Sequence, residues 1–223
     1  AKNWKSLKIM SSLTIKICGI TSYMDAQMAT SFGATHLGFI LYEKSPRYID
    51  RYQAGAILGR LQSVTFSSVA VMVNPSPSFL NEIKSCGFDF FQVHFQSNIE
   101  TCKVEEWSNI VGPERLWLVP RISAEQRFPA KLLPCANTIL LDAYDEEKHG
   151  GTGKTSDWKR FCEWKKEHPG KNWILAGGIG PENLKRALVE TSPNGIDLNS
   201  GVESTPGVKC REKISQVFSI LNH

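Results

Sequence analysis

The 223-residue sequence predicts a single α/β domain folded as a (β/α)8 TIM barrel, and three observations carry that prediction. Short β-rich runs recur eight times, each is followed by a stretch of helical periodicity, and the units repeat at about 26 residues. Such alternation demands parallel strands joined by crossover helices, and eight units close most naturally into a barrel near the lower end of that fold's size range. An open doubly wound sheet is the structural runner-up, but no dinucleotide fingerprint follows the first strand.

Strands are expected near 14–18, 36–41, 67–73, 88–94, 115–119, 137–142, 172–176 and 195–199. Helices are expected near 22–32, 50–62, 76–86, 98–109, 122–132, 156–168, 181–191 and 209–221, punctuated by Gly, Pro, Asn and Ser. Residues 13–223 are assigned to the barrel and residues 1–12 to an N-terminal extension.

Bulk composition narrows the function. Hydrophobic content of 41% with 22% charged residues is globular, and no apolar run approaches the ~18 residues of a membrane span. Of the net charge of +4, Lys2, Lys5 and Lys8 supply three in a segment without acids, leaving 23 basic against 22 acidic residues. A nearly neutral body without a basic stripe argues against a nucleic-acid partner. The six cysteines form no C-x-x-C pair, which predicts neither a disulfide framework nor a zinc site and suggests a reduced, cytoplasmic protein. No membrane, metal or cofactor is expected, and the chain is expected to be a monomer or a homodimer.

Barrel active sites lie at the C-terminal ends of the strands, so the residues there matter most. The first strand ends in Lys16-Ile17-Cys18, with Lys16 and Cys18 on one face. A cation beside a thiol favours the thiolate, which would make Cys18 a base and a preferred target for alkylation by iodoacetamide; the alternative is a small buried hydrophobe. The second strand leads to Lys44-Ser45-Pro46-Arg47, where Pro46 stiffens the loop and Arg47 is either solvated surface or a fork for a carboxylate. The fourth strand ends with Gln92 and His94 on one face, either able to line a pocket. The sixth is apolar until Asp142, and a carboxylate so placed is costly unless solvated, paired or used as an acid.

The stretch Gly150-Gly151-Thr152-Gly153-Lys154-Thr155 resembles a nucleotide-binding loop at its end only. A phosphate-binding P-loop needs glycine at 148, where the chain has Lys148, so a glycine-rich lid carrying Lys154 is the better reading. Glycine turns follow both last strands: Gly177-Gly178, with Pro181 expected to open the next helix, and Ser200-Gly201. Backbone N–H groups at such turns bind anions, and two of them after strands seven and eight predict a phosphorylated small-molecule substrate.

With these residues in place, the chain resembles the phosphoribosylanthranilate isomerase family over about residues 14–211. The resemblance rests on Lys16-Ile-Cys-Gly-Ile-Thr21, Leu37-Gly-Phe-Ile40, Ser45-Pro-Arg47, Asp142, the 150–154 glycine run with Asp157-Trp158, Leu175-Ala-Gly-Gly178, Pro181-Glu-Asn183, Ser200-Gly-Val-Glu203 and Pro206-Gly-Val-Lys209. It implies a cofactor-free Amadori rearrangement with Cys18 as general base and Asp142 as general acid. It further implies that Arg47 meets the anthranilate carboxylate, that Gly177, Gly178, Ser200 and Gly201 hold the phosphate, and that Asp197 meets the substrate near the reacting centre. Lys16 and His94 are expected to join them in the substrate site.

Three positions depart from the family pattern: Phe95 replaces a glycine and is expected to reshape the rim, Cys210 replaces an aspartate, and Leu198-Asn199 is unusual before Ser-Gly. The related aminoaldose isomerase of histidine biosynthesis is one alternative, although that family resembles a pair of aspartates where this chain has Cys18. A noncatalytic sugar-phosphate-binding barrel is the other.

Overall fold

The computed structural model describes residues 13–142 and 157–222. The proposed N-terminal extension and the Gly150–Thr155 turn with Lys154 therefore lie outside the described residues. Eight parallel strands close into a barrel in simple sequential order: β1 Thr14–Ile17, β2 His36–Ile40, β3 Ser67–Val73, β4 Phe90–Gln96, β5 Leu116–Arg121, β6 Thr138–Leu141, β7 Asn172–Leu175 and β8 Gly195–Leu198. Closure is made by β1 pairing with β8, with Lys16 in register with Asp197.

Among the described residues, seven α-helices cover the barrel: α1 Tyr23–Phe32, α2 Arg51–Arg60, α3 Pro77–Lys84, α4 Thr101–Val111, α5 Trp158–Glu167, α6 Leu184–Thr191 and α7 Arg211–Leu221. Most of their starts are legible in the residues that cap them. Ser22, Asp50, Ser76 and Asp157 each accept a backbone N–H of the first turn, satisfying donors that have no partner within the helix. A short hairpin, β9 Glu203–Thr205 and β10 Val208–Lys209, follows β8.

The period of two along each strand sorts side chains into two cores. Val69, Val71, Trp117, Val119, Leu140, Ile174 and Ala176 fill the barrel together with Cys18. The alternate residues, such as Ile17, Leu37, Phe39, Phe91 and Val93, are buried against the helices. Filling the interior leaves functional side chains only the upper rim.

The structure corrects the expectation of a helix at 122–132. That unit crosses the barrel as an irregular segment ending in a 3-10 helix, Ala130–Cys135. Pro129 and Pro134 each remove a backbone donor that an α-helix would need, and Phe128 is instead fixed by ring contacts to Trp164, His168 and Trp173. Pro181 likewise does not open its helix, since α6 starts at Leu184. The Asn183 side chain accepts from Gly180 N at 3.0 Å and donates to the Gly178 carbonyl at 2.8 Å, which holds residues 180–183 as a turn.

Phe95 is also placed differently from the expectation. It is buried on the helix-facing side of β4 and packs on Trp107 of α4, with ring centroids 5.7 Å apart, so it adds to the outer core and does not shape the rim. Cys210 is the N-cap of α7 and makes no side-chain bond to its backbone; its thiol donates to Glu212 instead.

Candidate active site

A cavity of about 620 Å³ opens at the C-terminal ends of the strands. Cys18, Arg47, His94, Asp142 and Asp197 line it, brought from β1, the β2–α2 loop, β4, the end of β6 and β8. Gly177, Gly178 and Ser200 form part of its wall. No two of the five side chains come from the same strand, so closure of the barrel assembles the group.

Lys16 and Gly201 are not among the lining residues. Lys16 lies wholly buried, its Nζ 2.8 Å from Asp197 Oδ1 and close to the Cys18 sulfur. Gly38, opposite on β2, leaves the required space: a Cβ there would stand 2.8 Å from Lys16 Nζ and 2.9 Å from Cys18 Sγ. Gly201 lacks a side chain for a packing reason, because a Cβ would fall on the Ile179 carbonyl of the neighbouring loop.

The electrostatics of Cys18 differ from the expected thiolate. Burial pushes its thiol above the ordinary value, and the Lys16 ammonium opposes that rise without cancelling it. Burial also weighs against preferential alkylation of Cys18, since Cys86 and Cys102 are exposed. For Lys16, burial alone would weaken the proton, but Asp197 and Cys18 outweigh it and the ammonium is held above its usual range.

Gln92, beside His94, is 1% exposed and places Nε2 2.9 Å from His94 Nε2, while its Oε1 has no hydrogen-bond partner among the described residues. Gly177 and Gly178 have φ of 85° and 62°, the left-handed region where a side chain is strained, and the Asn183 bonds brace the turn they make. Its backbone is thereby fixed at the cavity wall.

Arg47 is nearly buried, with a partner that no local pattern announced. Its Nε lies 2.9 Å from Glu203 Oε1 and its Nη2 2.7 Å from Oε2, and Lys209 Nζ lies 2.7 Å from Glu203 Oε1 and 3.1 Å from Asn199 Oδ1. Sequence spacing assigns Glu203 and Lys209 no role, since 156 positions separate Arg47 from Glu203. The one available signal was their presence in two short motifs after β8.

Cys18, Asp142 and the Gly177-Gly178 turn thus share one cavity, and the chain that carries them matches the family model for N-(5'-phosphoribosyl)anthranilate isomerase over residues 15–220. The chain belongs to this family. A curated N-(5'-phosphoribosyl)anthranilate isomerase of Synechococcus elongatus is 36% identical over 213 residues, spanning 94% of this chain and 96% of that protein. The crystal structure of a phosphoribosyl anthranilate isomerase from Thermus thermophilus is 30% identical with a TM-score of 0.76, over 94% of this chain and 98% of that one. A further phosphoribosyl anthranilate isomerase, in complex with reduced 1-(o-carboxyphenylamino)-1-deoxyribulose 5-phosphate, is 26% identical with a TM-score of 0.73 over the same shares.

Proposed function

We propose that the cavity performs the reaction for which its family is named, the conversion of N-(5-phosphoribosyl)anthranilate to 1-(2-carboxyphenylamino)-1-deoxyribulose 5-phosphate in tryptophan biosynthesis. The observation that carries this reading is that Cys18 and Asp142 face one cavity from strands on different sides of it, beside the Gly177-Gly178 turn. Acid and base are thus available to separate atoms of one substrate.

Asp142 donates its proton to the ring oxygen, the C1'–O bond breaks, and the nitrogen lone pair forms a Schiff base at C1'. Cys18, as thiolate, removes the C2' proton; the electrons of that C–H bond form C1'=C2' and return the imine pair to nitrogen. The resulting enol amine gains a proton at C1' as its C2' hydroxyl becomes the ketone. Acid and base suffice, with no net redox change.

Each such group contributes typically about 10²–10⁴-fold, and holding the substrate at both ends supplies much of the rest. The Gly177-Gly178 turn and Ser200, which line the cavity, anchor the phosphate, and Arg47 anchors the carboxylate. Asp197, also lining the cavity, accepts a ribose hydroxyl, while Lys16 acts from beneath through Cys18. His94 borders the aromatic part. A cytoplasmic setting belongs to the same reading and is supported by six free cysteines and by the absence, among the described residues, of any helix long and apolar enough to cross a membrane.

Mixing the protein with N-(5-phosphoribosyl)anthranilate and following its anthranilate-type fluorescence tests the proposal. A decay proportional to protein concentration, with the deoxyribulose phosphate as product, is expected. Spontaneous hydrolysis to anthranilate as the sole process would refute it and favour a noncatalytic barrel.

A further inference from the structure

Arg47, Glu203 and Lys209 form a buried ion cluster, at 6%, 5% and 5% exposure. Two cations share one carboxylate, which leaves one positive charge without a partner inside the group. Asp25 does not supply it, since its carboxylate receives the backbone N–H of Lys209 at 3.4 Å and makes no ion pair with the ammonium among the described residues. Lys213 donates to the Glu203 carbonyl at 2.8 Å and makes no ion pair among the described residues. Asn199, which receives Lys209 Nζ, is neutral.

A buried surplus charge is costly until an anion joins it. Burial disfavours the Lys209 ammonium and leaves it below its ordinary range, whereas the two cations outweigh burial and keep Glu203 a carboxylate. Of the three charged members, Arg47 alone lines the cavity, with Glu203 and Lys209 behind it. Glu203 takes the Nε and Nη2 side of the guanidinium. A guanidinium has five N–H groups, so the Nη1–Nη2 edge keeps a second fork for a carboxylate.

We propose that Glu203 and Lys209 are positioning residues for recognition of the substrate's aryl carboxylate. Glu203 fixes the plane of Arg47 so that its second fork meets the cavity, and Lys209 supplies the positive charge that the incoming carboxylate neutralises. The proposal rests on Arg47 being the carboxylate anchor and extends that reading to two residues that never touch the substrate. The cluster thereby discriminates an anionic aryl group from a neutral one of similar shape.

The test measures binding of two probes to the full chain by titration calorimetry: reduced 1-(o-carboxyphenylamino)-1-deoxyribulose 5-phosphate and the same compound with an unsubstituted phenyl group. Wild type, Arg47→Ala, Lys209→Met, Lys209→Arg and Glu203→Gln are compared, with circular dichroism confirming the fold. Lys209→Met leaves Arg47 and Glu203 as a neutral pair, so it is the variant best able to fold. It is expected to weaken the carboxylated probe by roughly tenfold, as for removal of one charge near a partly buried site, while the phenyl probe changes little. Lys209→Arg should recover most of that loss. Equal weakening of both probes in Lys209→Met and Glu203→Gln, or no weakening, would overturn the positioning roles while leaving Arg47 as anchor. Equal effects on both probes in Arg47→Ala would overturn the anchor itself.

Discussion

Lys16 Nζ meets Asp197 Oδ1 at 2.8 Å inside the barrel, from positions 181 apart in the chain that stand in register on β1 and β8. The pair spans the β1–β8 seam and sets a charge beside Cys18. Burial raises the Cys18 pKa, Lys16 lowers it and Asp197 raises it again, so reactivity of the thiol is decided by a balance of neighbours.

That balance predicts the pH dependence. With the Cys18 thiolate as the proposed base and burial holding its pKa above the ordinary thiol value, kcat/KM should climb with pH on a limb beyond that value. Lys16→Met removes the opposing ammonium and should move the limb to still higher pH. It also leaves Asp197 buried and unpaired, costing about 3–5 kcal/mol, so folding must be followed alongside. A limb that stays in place in a folded variant would show that Lys16 does not tune Cys18.

Cys18→Ser and Asp142→Asn keep size and lose, respectively, a usable base and a proton. Each should lower kcat by at least ~10²-fold with little change in KM, because the lost interaction is made in the transition state. If Cys18→Ser retained near-normal kcat, the base would lie elsewhere, and His94 would be the next residue to replace. Exposed Cys86 and Cys102 should react with iodoacetamide before Cys18 does, which mass spectrometry of the alkylated peptides can establish.

Phosphate binding at the glycine turn is testable without substrate turnover. Inorganic phosphate should compete with substrate, and Gly178→Val should weaken both, since a β-branched residue is strained at φ 62° and shifts the turn braced by Asn183. Normal competition in that variant would place the anion at another part of the barrel.

Cys210 offers a prediction about stability. As N-cap of α7 it leaves the first-turn donors without a side-chain acceptor, and its thiol is turned to Glu212. Cys210→Asp should supply the missing acceptor and a charge favoured at a helix start, adding about 1 kcal/mol and raising Tm by roughly 2–4 °C. An unchanged or lower Tm on thermal unfolding would mean that the Glu212 contact already serves as well, or that the added carboxylate repels it.

The barrel, its eight strands and the strand-end position of Cys18, Asp142 and Gly177-Gly178 were determined by the sequence itself. Alternation with a period of two and helical periodicity are local signals, and a local signal says where each strand ends and hence which residues reach the rim. The fifth unit shows the limit of such signals: residues 122–128 have helix-compatible side chains, but Pro129 and the docking of Phe128 among Trp164, His168 and Trp173 left no helix to form. Phe95 shows it again, since a glycine-to-phenylalanine departure beside His94 reads as a change at the rim until the alternation along β4 turns it toward Trp107. Tertiary structure alone decided that Arg47 is held by Glu203 and Lys209, that Lys16 is paired with Asp197, and that Gly38 makes room for Lys16 and Cys18 together. The pairs Arg47–Glu203 and Lys16–Asp197 join residues from opposite ends of the chain. Their energies depend on distance and burial, which no spacing along the sequence encodes.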